Sequence, residues 1–190
     1  MTRVFKENGT VVPVTLIKAG PAVITQIRTR ENDGYEAVQV GFEPARKIKK
    51  PQRGHLKNME AVKHLREFRI EKGDAKVGDA VTVSQFKPGD FVKISGVTKG
   101  KGFQGVVKRH GFHGMPASHG HKSVKRHGGS IGQRFPQHTL KGMRMPGRMG
   151  GVRATIRGLE VVMIDTDKNI LAVKGAVPGR NGALLEVIKI

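Results

Sequence analysis

The sequence contains no cysteine and no tryptophan, and its single tyrosine is Tyr35. Without cysteine there is no disulfide framework, no thiolate metal site and no cysteine nucleophile. Aromatic residues make up 5% of the chain, and some of them are needed in a core. Proteins that read single-stranded RNA usually stack bases on exposed aromatics, so phosphate contact is expected to outweigh stacking here. Long apolar runs are missing as well. No stretch approaches the roughly 18 residues that cross a bilayer, and the opening Met1–Lys6 has no run like that of a signal peptide. These absences predict a soluble intracellular protein with no membrane partner.

A further absence is local. No Asp or Glu occurs between Asp90 and Glu160, where fourteen Lys and Arg and six of the eight His fall among closely spaced glycines. Both flanks mix the two signs of charge. The formal net charge is +20 on 190 residues, and self-repulsion of that size opposes a compact state unless a polyanion supplies counter-charge. Nucleic acid is the expected partner. Hydrophobic residues make up 37% of the chain, below the usual half or so, which is enough for a small core but not one running throughout. The length suits one domain, or one domain with a large insertion.

The flanks read as β-structure. Val11–Ile17, Ala22–Ile27, Ala37–Phe42, Phe68–Ile70, Ala80–Val83, Phe91–Ile94, Leu159–Ile164, Asn169–Val173 and Leu184–Ile190 are β-branched or alternating runs. Asn32-Asp33-Gly34 and Asp165–Lys168 read as hairpin turns. Many short strands at this spacing suggest a mainly β fold, a small barrel or sandwich. Arg46–Lys57, with Pro51 and Gly54, reads as a loop. Asn58–Leu65 reads as a short helix capped by Asn58, with Met59, Val62 and Leu65 on one face.

This divides the chain into a first β part over 1–95, with a loop and short-helix insertion at about 44–66, a basic Gly-rich extension over 96–154, and a second β part over 155–190. The extension sustains neither helical nor strand period and should not pack a core alone in water. A disordered basic tail has the same composition. Against that, the segment is internal, and long internal insertions are usually functional. Two extended arms of this length would reach at most roughly 100 Å.

Gly100-Lys101-Gly102-Phe103-Gln104-Gly105 matches G-x-G-x-x-G. A dinucleotide site needs a following helix and an acidic residue about 20 positions on to hold the ribose. The next residues are short and glycine-broken, and no acid comes before Glu160. Glycines that let backbone amides approach phosphate are the better account. His110, His113, His119, His121 and His127 lie close together, but Lys and Arg surround them and no Cys or carboxylate completes a metal set. A catalytic His needs an orienting carboxylate, which is lacking locally. No metal, cofactor, catalytic residue or small-molecule substrate is therefore expected. Met143–Gly151 alternates Met, Arg and Gly. It suits an irregular apolar and charged RNA surface, and an exposed loop is the alternative.

The run Thr98–Arg109 resembles the signature of the large-subunit ribosomal protein three family, bacterial type. Met1–Phe5, Asn32–Tyr35, Gly128–Gly132, Met145–Gly150 and Val173–Gly179 extend the resemblance over nearly the whole chain. It implies a translation-protein-type β-barrel and a long loop threading large-subunit RNA, with its tip at Met145, Pro146, Gly147, Arg148 and Met149 near the peptidyl-transferase centre. It implies a role in subunit assembly, with 23S rRNA and large-subunit proteins fourteen and nineteen as partners. The chain departs from the family pattern at Lys93, where Asp or Asn is common, and at Arg148, where some members carry Gln. The expected phosphate partners are Lys99, Lys101, Lys108, Arg109, Lys122, Lys125, Arg126, Arg134, Lys141, Arg144, Arg148 and Arg153, and His113 is expected to contact RNA with them. The alternative is a free-standing basic nucleic-acid chaperone, which shares the charge but not the need for one folded partner.

Overall fold

A computed structural model of the chain describes residues 1–56, 59–69 and 75–190. Its strands are β1 (Thr2–Phe5), β2 (Val11–Lys18), β3 (Ala22–Arg28), β4 (Ala37–Pro44), β5 (Val62–Phe68), β6 (Ala80–Val81), β7 (Phe91–Val97), β8 (Phe103–Gln104), β9 (Gly147–Arg148), β10 (Arg153–Asp165), β11 (Ile170–Lys174) and β12 (Leu185–Lys189). Three short helices, α1 (Arg30–Asp33), α2 (Lys50–Leu56) and α3 (Val106–His110), and a 3-10 turn at Val83–Gln85 join them.

The strands form where alternation or apolar density gives a sheet something to bury. In β2, Val12 and Val14 are buried while Val11 and Pro13 face out, the period of two that a half-covered strand needs. Val12 and Val14 cluster with Ala172, and Val4 and Val162 pack against them. β11 lies between β2 and β10, and Leu171, Ala172 and Val173 are all buried. Consecutive side chains point to opposite faces, so both faces of that strand are covered.

The strands pair in the order β1-β2-β11-β10-β7-β12 in one sheet, β5-β4-β3-β6 in a second, and β8-β9 in a ribbon. Each sheet has free edges, so no closed barrel is formed among the described residues. The β3–β4 ladder slips between Ile24 and Gln26, and the β10–β11 ladder slips between Val161 and Met163. Such bulges bend and twist a strand.

The β3–β4 connection is the expected hairpin with a longer turn. Arg30–Asp33 makes one helical turn that Gly34 ends at φ 77°, donating its N–H to the Arg30 carbonyl. Ala80–Val83 stops as a strand at Val81, and Val83 begins the 3-10 turn.

Two expectations for the 44–66 insertion are overturned. Lys50–Leu56 is helix, not loop. Pro51 stands in its first turn, where a missing N–H costs nothing, and Leu56, 2% exposed, anchors the last turn. Of the expected helix over Asn58–Leu65, Val62–Leu65 is instead the start of β5, antiparallel to β4 with Leu65 opposite Gly41 and Val62 opposite Pro44. The spacing of Met59, Val62 and Leu65 fits a helix face, but the open edge of β4 pairs with Val62 and Leu65, and tertiary pairing outweighs local pattern. A Cβ on Gly41 would meet Thr25 Cγ2 at 2.8 Å and Val62 Cγ2 at 2.9 Å, so bare backbone at Gly41 admits both neighbours. Asn58 and Ile70 lie outside the described residues.

The chain forms two compact units. One comprises residues 1–93, 157–177 and 187–190, and the other residues 94–156 and 178–186. Among the described residues no helix is long and apolar enough to cross a membrane.

Candidate nucleic-acid interface

The second unit carries the acid-free stretch. Its root is a ladder: Ser95 and Thr155 hydroxyls bond at 2.8 Å, and Thr98 N–H donates to the Val152 carbonyl at 2.9 Å. The ribbon β8–β9 continues it. Lys101 N–H donates to Met149 O and Met149 N–H to Gly102 O, both at 2.9 Å. Phe103 stands opposite Arg148 and Gln104 opposite Gly147.

α3 follows the ribbon. It places Lys108, Arg109 and His110 in its last turn, where the carbonyl ends favour positive charge. Gly111 ends it at φ 73°. Arg109 Nη1 donates to the Met145 carbonyl at 2.6 Å, and His110 Nε2–H donates to the same oxygen at 3.1 Å. A Cβ on Gly147 would stand 2.7 Å from Arg109 Nη1, so the guanidinium lies directly on the backbone of β9. Met145–Met149 is thereby fixed against the 98–110 segment.

Beyond α3 the chain packs little of itself. Val106 is the one buried residue between 98 and 152. Gly128 passes over it, close enough that a Cβ would meet Val106 Cγ2 at 3.2 Å. Met115 N–H donates to Lys125 O at 3.0 Å, and His127 N–H donates to Val124 O at 3.0 Å. Together these hold an open cleft of about 380 Å³ lined by His110, Phe112, His113, His127, Arg144 and several glycines. No carboxylate lines it, so it suits an anion.

The expected cations divide by their surroundings. Lys99, Lys101, Lys108, Lys122, Lys125, Arg126, Arg134, Lys141, Arg144 and Arg148, with His113, are all exposed. Arg109 is half-buried and engaged with Met145. Arg153 is exposed but paired with Glu186. Apart from the Met143–Gly151 run, sequence reasoning passed over the apolar side chains left in water beside these cations. Phe103 is 76% exposed and Phe135 71%, and Ile131, Leu140, Met115, Met143 and Val152 are exposed too. The low aromatic count hid them, although both Phe stand among glycines and cations that could not cover a ring.

Comparison with known proteins bears on the same residues. The family described as ribosomal protein L3 matches residues 62–170. The chain belongs to the ribosomal protein L3 family. It is similar to the large ribosomal subunit protein uL3 of a Roseiflexus species, 50% identical over 98% of this chain and 91% of the relative. The uL3 proteins of Thermotoga petrophila, 51% identical over 97% of this chain and 90% of the relative, and of Solibacter usitatus, 50% identical over 98% and 92%, are similar to the same extent. The resemblance carried by Thr98–Arg109 is thus borne out. The L3 family is structural and non-enzymatic. Its match spans β5 to the start of β11, and so takes in the ribbon, α3, the cleft and every expected cation.

Proposed function

We propose that this chain is a structural protein of the large ribosomal subunit that binds 23S rRNA through the 96–154 extension and supports subunit assembly in the cytoplasm. One observation carries the reading: over residues 98–152, exposed Lys, Arg and apolar side chains share the chain with one buried residue and no acid. Such a surface is completed only by a large polyanion with crevices, and folded RNA has both phosphates and apolar base faces.

In this reading the phosphate partners are Lys99, Lys101, Lys108, Lys122, Lys125, Arg126, Arg134, Lys141, Arg144 and Arg148, with His113 beside them. Arg109 acts mainly by fixing Met145, and Arg153 exchanges Glu186 for phosphate. Met145–Met149 approaches the peptidyl-transferase centre, and large-subunit proteins fourteen and nineteen are neighbours, as the family resemblance implies. The bulged strands of the first unit give its open sheets the twist that suits the translation-protein-type architecture the family resemblance implies.

The test is sucrose-gradient fractionation of host-cell lysate with the chain quantified by mass spectrometry. Stoichiometric migration with the large subunit through a high-salt wash is expected. A spread through free-RNA or nucleoid fractions that salt removes would overturn the reading in favour of a free-standing chaperone.

A further inference from the structure

Phe103 and Arg148 are directly opposed across the β8–β9 ribbon. Residues opposite each other in an antiparallel pair project from the same face, with Cβ atoms about 5 Å apart. Phe103 is 76% exposed. Among the described residues its ring packs on no other aromatic ring and under no guanidinium. Arg148 is exposed and forms no ion pair or side-chain hydrogen bond among the described residues. Its guanidinium rests over the bare backbone of Gly151, where a Cβ would meet Nη2 at 2.8 Å.

The ribbon that presents this pair is held firmly. Reciprocal bonds join Lys101 to Met149 and Met149 to Gly102. Arg109 and His110 hold Met145, and the Gln104 side chain donates to the Lys101 carbonyl. Around Phe103, a Cβ on Gly100, Gly102 or Gly105 would meet nothing within 4 Å. A planar group can therefore reach the ring from open space, past backbone that carries no side chains.

We propose that Phe103 and Arg148 form a stacking site for one unpaired nucleobase of RNA. The base lies on the Phe103 ring and the Arg148 guanidinium donates to the phosphate of the same nucleotide. An exposed ring on a rigid backbone loses little entropy on stacking, and any base offers it a π-face. The surroundings favour a nucleotide over an apolar protein side chain, because exposed Lys99, Lys101 and Lys108 lie close to Phe103 along the chain and no acid lies between Asp90 and Glu160. The inference deepens the RNA-binding reading and rests on it. It also departs from the composition, whose few aromatics argue against stacking as a main source of affinity.

The experiment uses the full chain and a single-stranded oligoribonucleotide carrying one 2-aminopurine, titrated across a range of salt concentrations, with an RNA duplex as the control probe. Phe103→Leu keeps the apolar bulk and removes the π-face, and Phe103→Tyr keeps both. Phe103→Leu is expected to bind the single strand about tenfold more weakly, the middle of the range for one stacked base. Its salt slope and duplex affinity should stay unchanged, and Phe103→Tyr should restore wild-type binding. Arg148→Ala should lower the single-strand salt slope by about 0.7, the loss of one phosphate contact.

Equal single-strand affinity of Phe103→Leu and wild type would overturn the stacking site, while a steep wild-type slope would leave the RNA-binding reading standing. A wild-type chain that binds neither probe would overturn both. Self-association in sedimentation equilibrium, lost in Phe103→Leu while single-strand binding is unchanged, would overturn the inference by making the ring a protein contact.

Discussion

A Cβ on Gly150 would stand 2.1 Å from the carbonyl oxygen of Lys99, and the φ of Gly150 is +72°. Both facts demand glycine. No side chain fits beneath that carbonyl, and an L-residue at this φ is strained. Gly150→Ala is expected to open the β8–β9 ribbon, seen as faster hydrogen exchange at the Lys101 and Met149 amides. Gly102, at φ +69° with nothing near its Cβ position, carries only the backbone strain, so Gly102→Ala should open the ribbon less. Equal protection in Gly150→Ala and wild type would show that the ribbon does not depend on this approach.

Adjacent residues of α3 should behave differently. Lys108 is exposed, whereas Arg109 holds Met145 at 2.6 Å. In RNA-binding titrations against salt, Lys108→Ala should reduce the magnitude of the slope by about 0.9, as for one lost phosphate in a duplex-like site. Arg109→Ala should instead release Met145–Met149, so proteolytic cleavage in that segment should rise sharply. Identical proteolysis of the two variants would remove the distinction.

Glu67 joins a network on the second sheet. It accepts from Tyr35 Oη at 2.8 Å, from Gln39 Nε2 at 3.3 Å and from Arg28 Nε at 3.4 Å. Gln39 in turn accepts from the buried Thr25 hydroxyl at 2.9 Å and bonds His55 of α2 at 3.1 Å. The Tyr35 hydrogen bond foremost holds the Glu67 carboxyl below the usual carboxylate range, with partial burial opposing it and Gln39 and Arg28 adding to it. A lowered folded pKa adds stability above the unfolded value of about 4.3 that is lost as pH falls through the folded value. Wild type should therefore be more stable than Glu67→Gln at pH 7, and the gap should close below about pH 4. Denaturant melts at several pH values measure this, and a gap constant with pH would exclude the charge as its source.

Leu56 is the buried end of α2. Leu56→Ala should destabilise the first unit by about 2–5 kcal/mol, the usual cost of a buried leucine truncated to alanine. Val77, 53% exposed, serves as control, and Val77→Ala should change stability by less than about 0.5 kcal/mol. A thermal melt of Leu56→Ala matching wild type would show that α2 is not anchored there.

Charge and glycine distribution along the sequence were enough to mark the segment proposed as the interface. A chain cannot bury a run of cations without acids to pair them, so the absence of Asp and Glu between Asp90 and Glu160 already placed these side chains at the surface, open to a polyanion. The strands with strong alternation, such as β2 and β11, were equally legible, because burial on a sheet face is written in period two. Tertiary structure decided the rest. Val62–Phe68 became a strand because β4 offered an unpaired edge, and Arg109 became a strut because the chain returned 36 residues later with the Met145 carbonyl beside it. Phe103 came to face Arg148 through the same return. These pairings join residues far apart in the chain. Local propensity and charge carry no information about which distant backbone will arrive, and only the folded chain settles it.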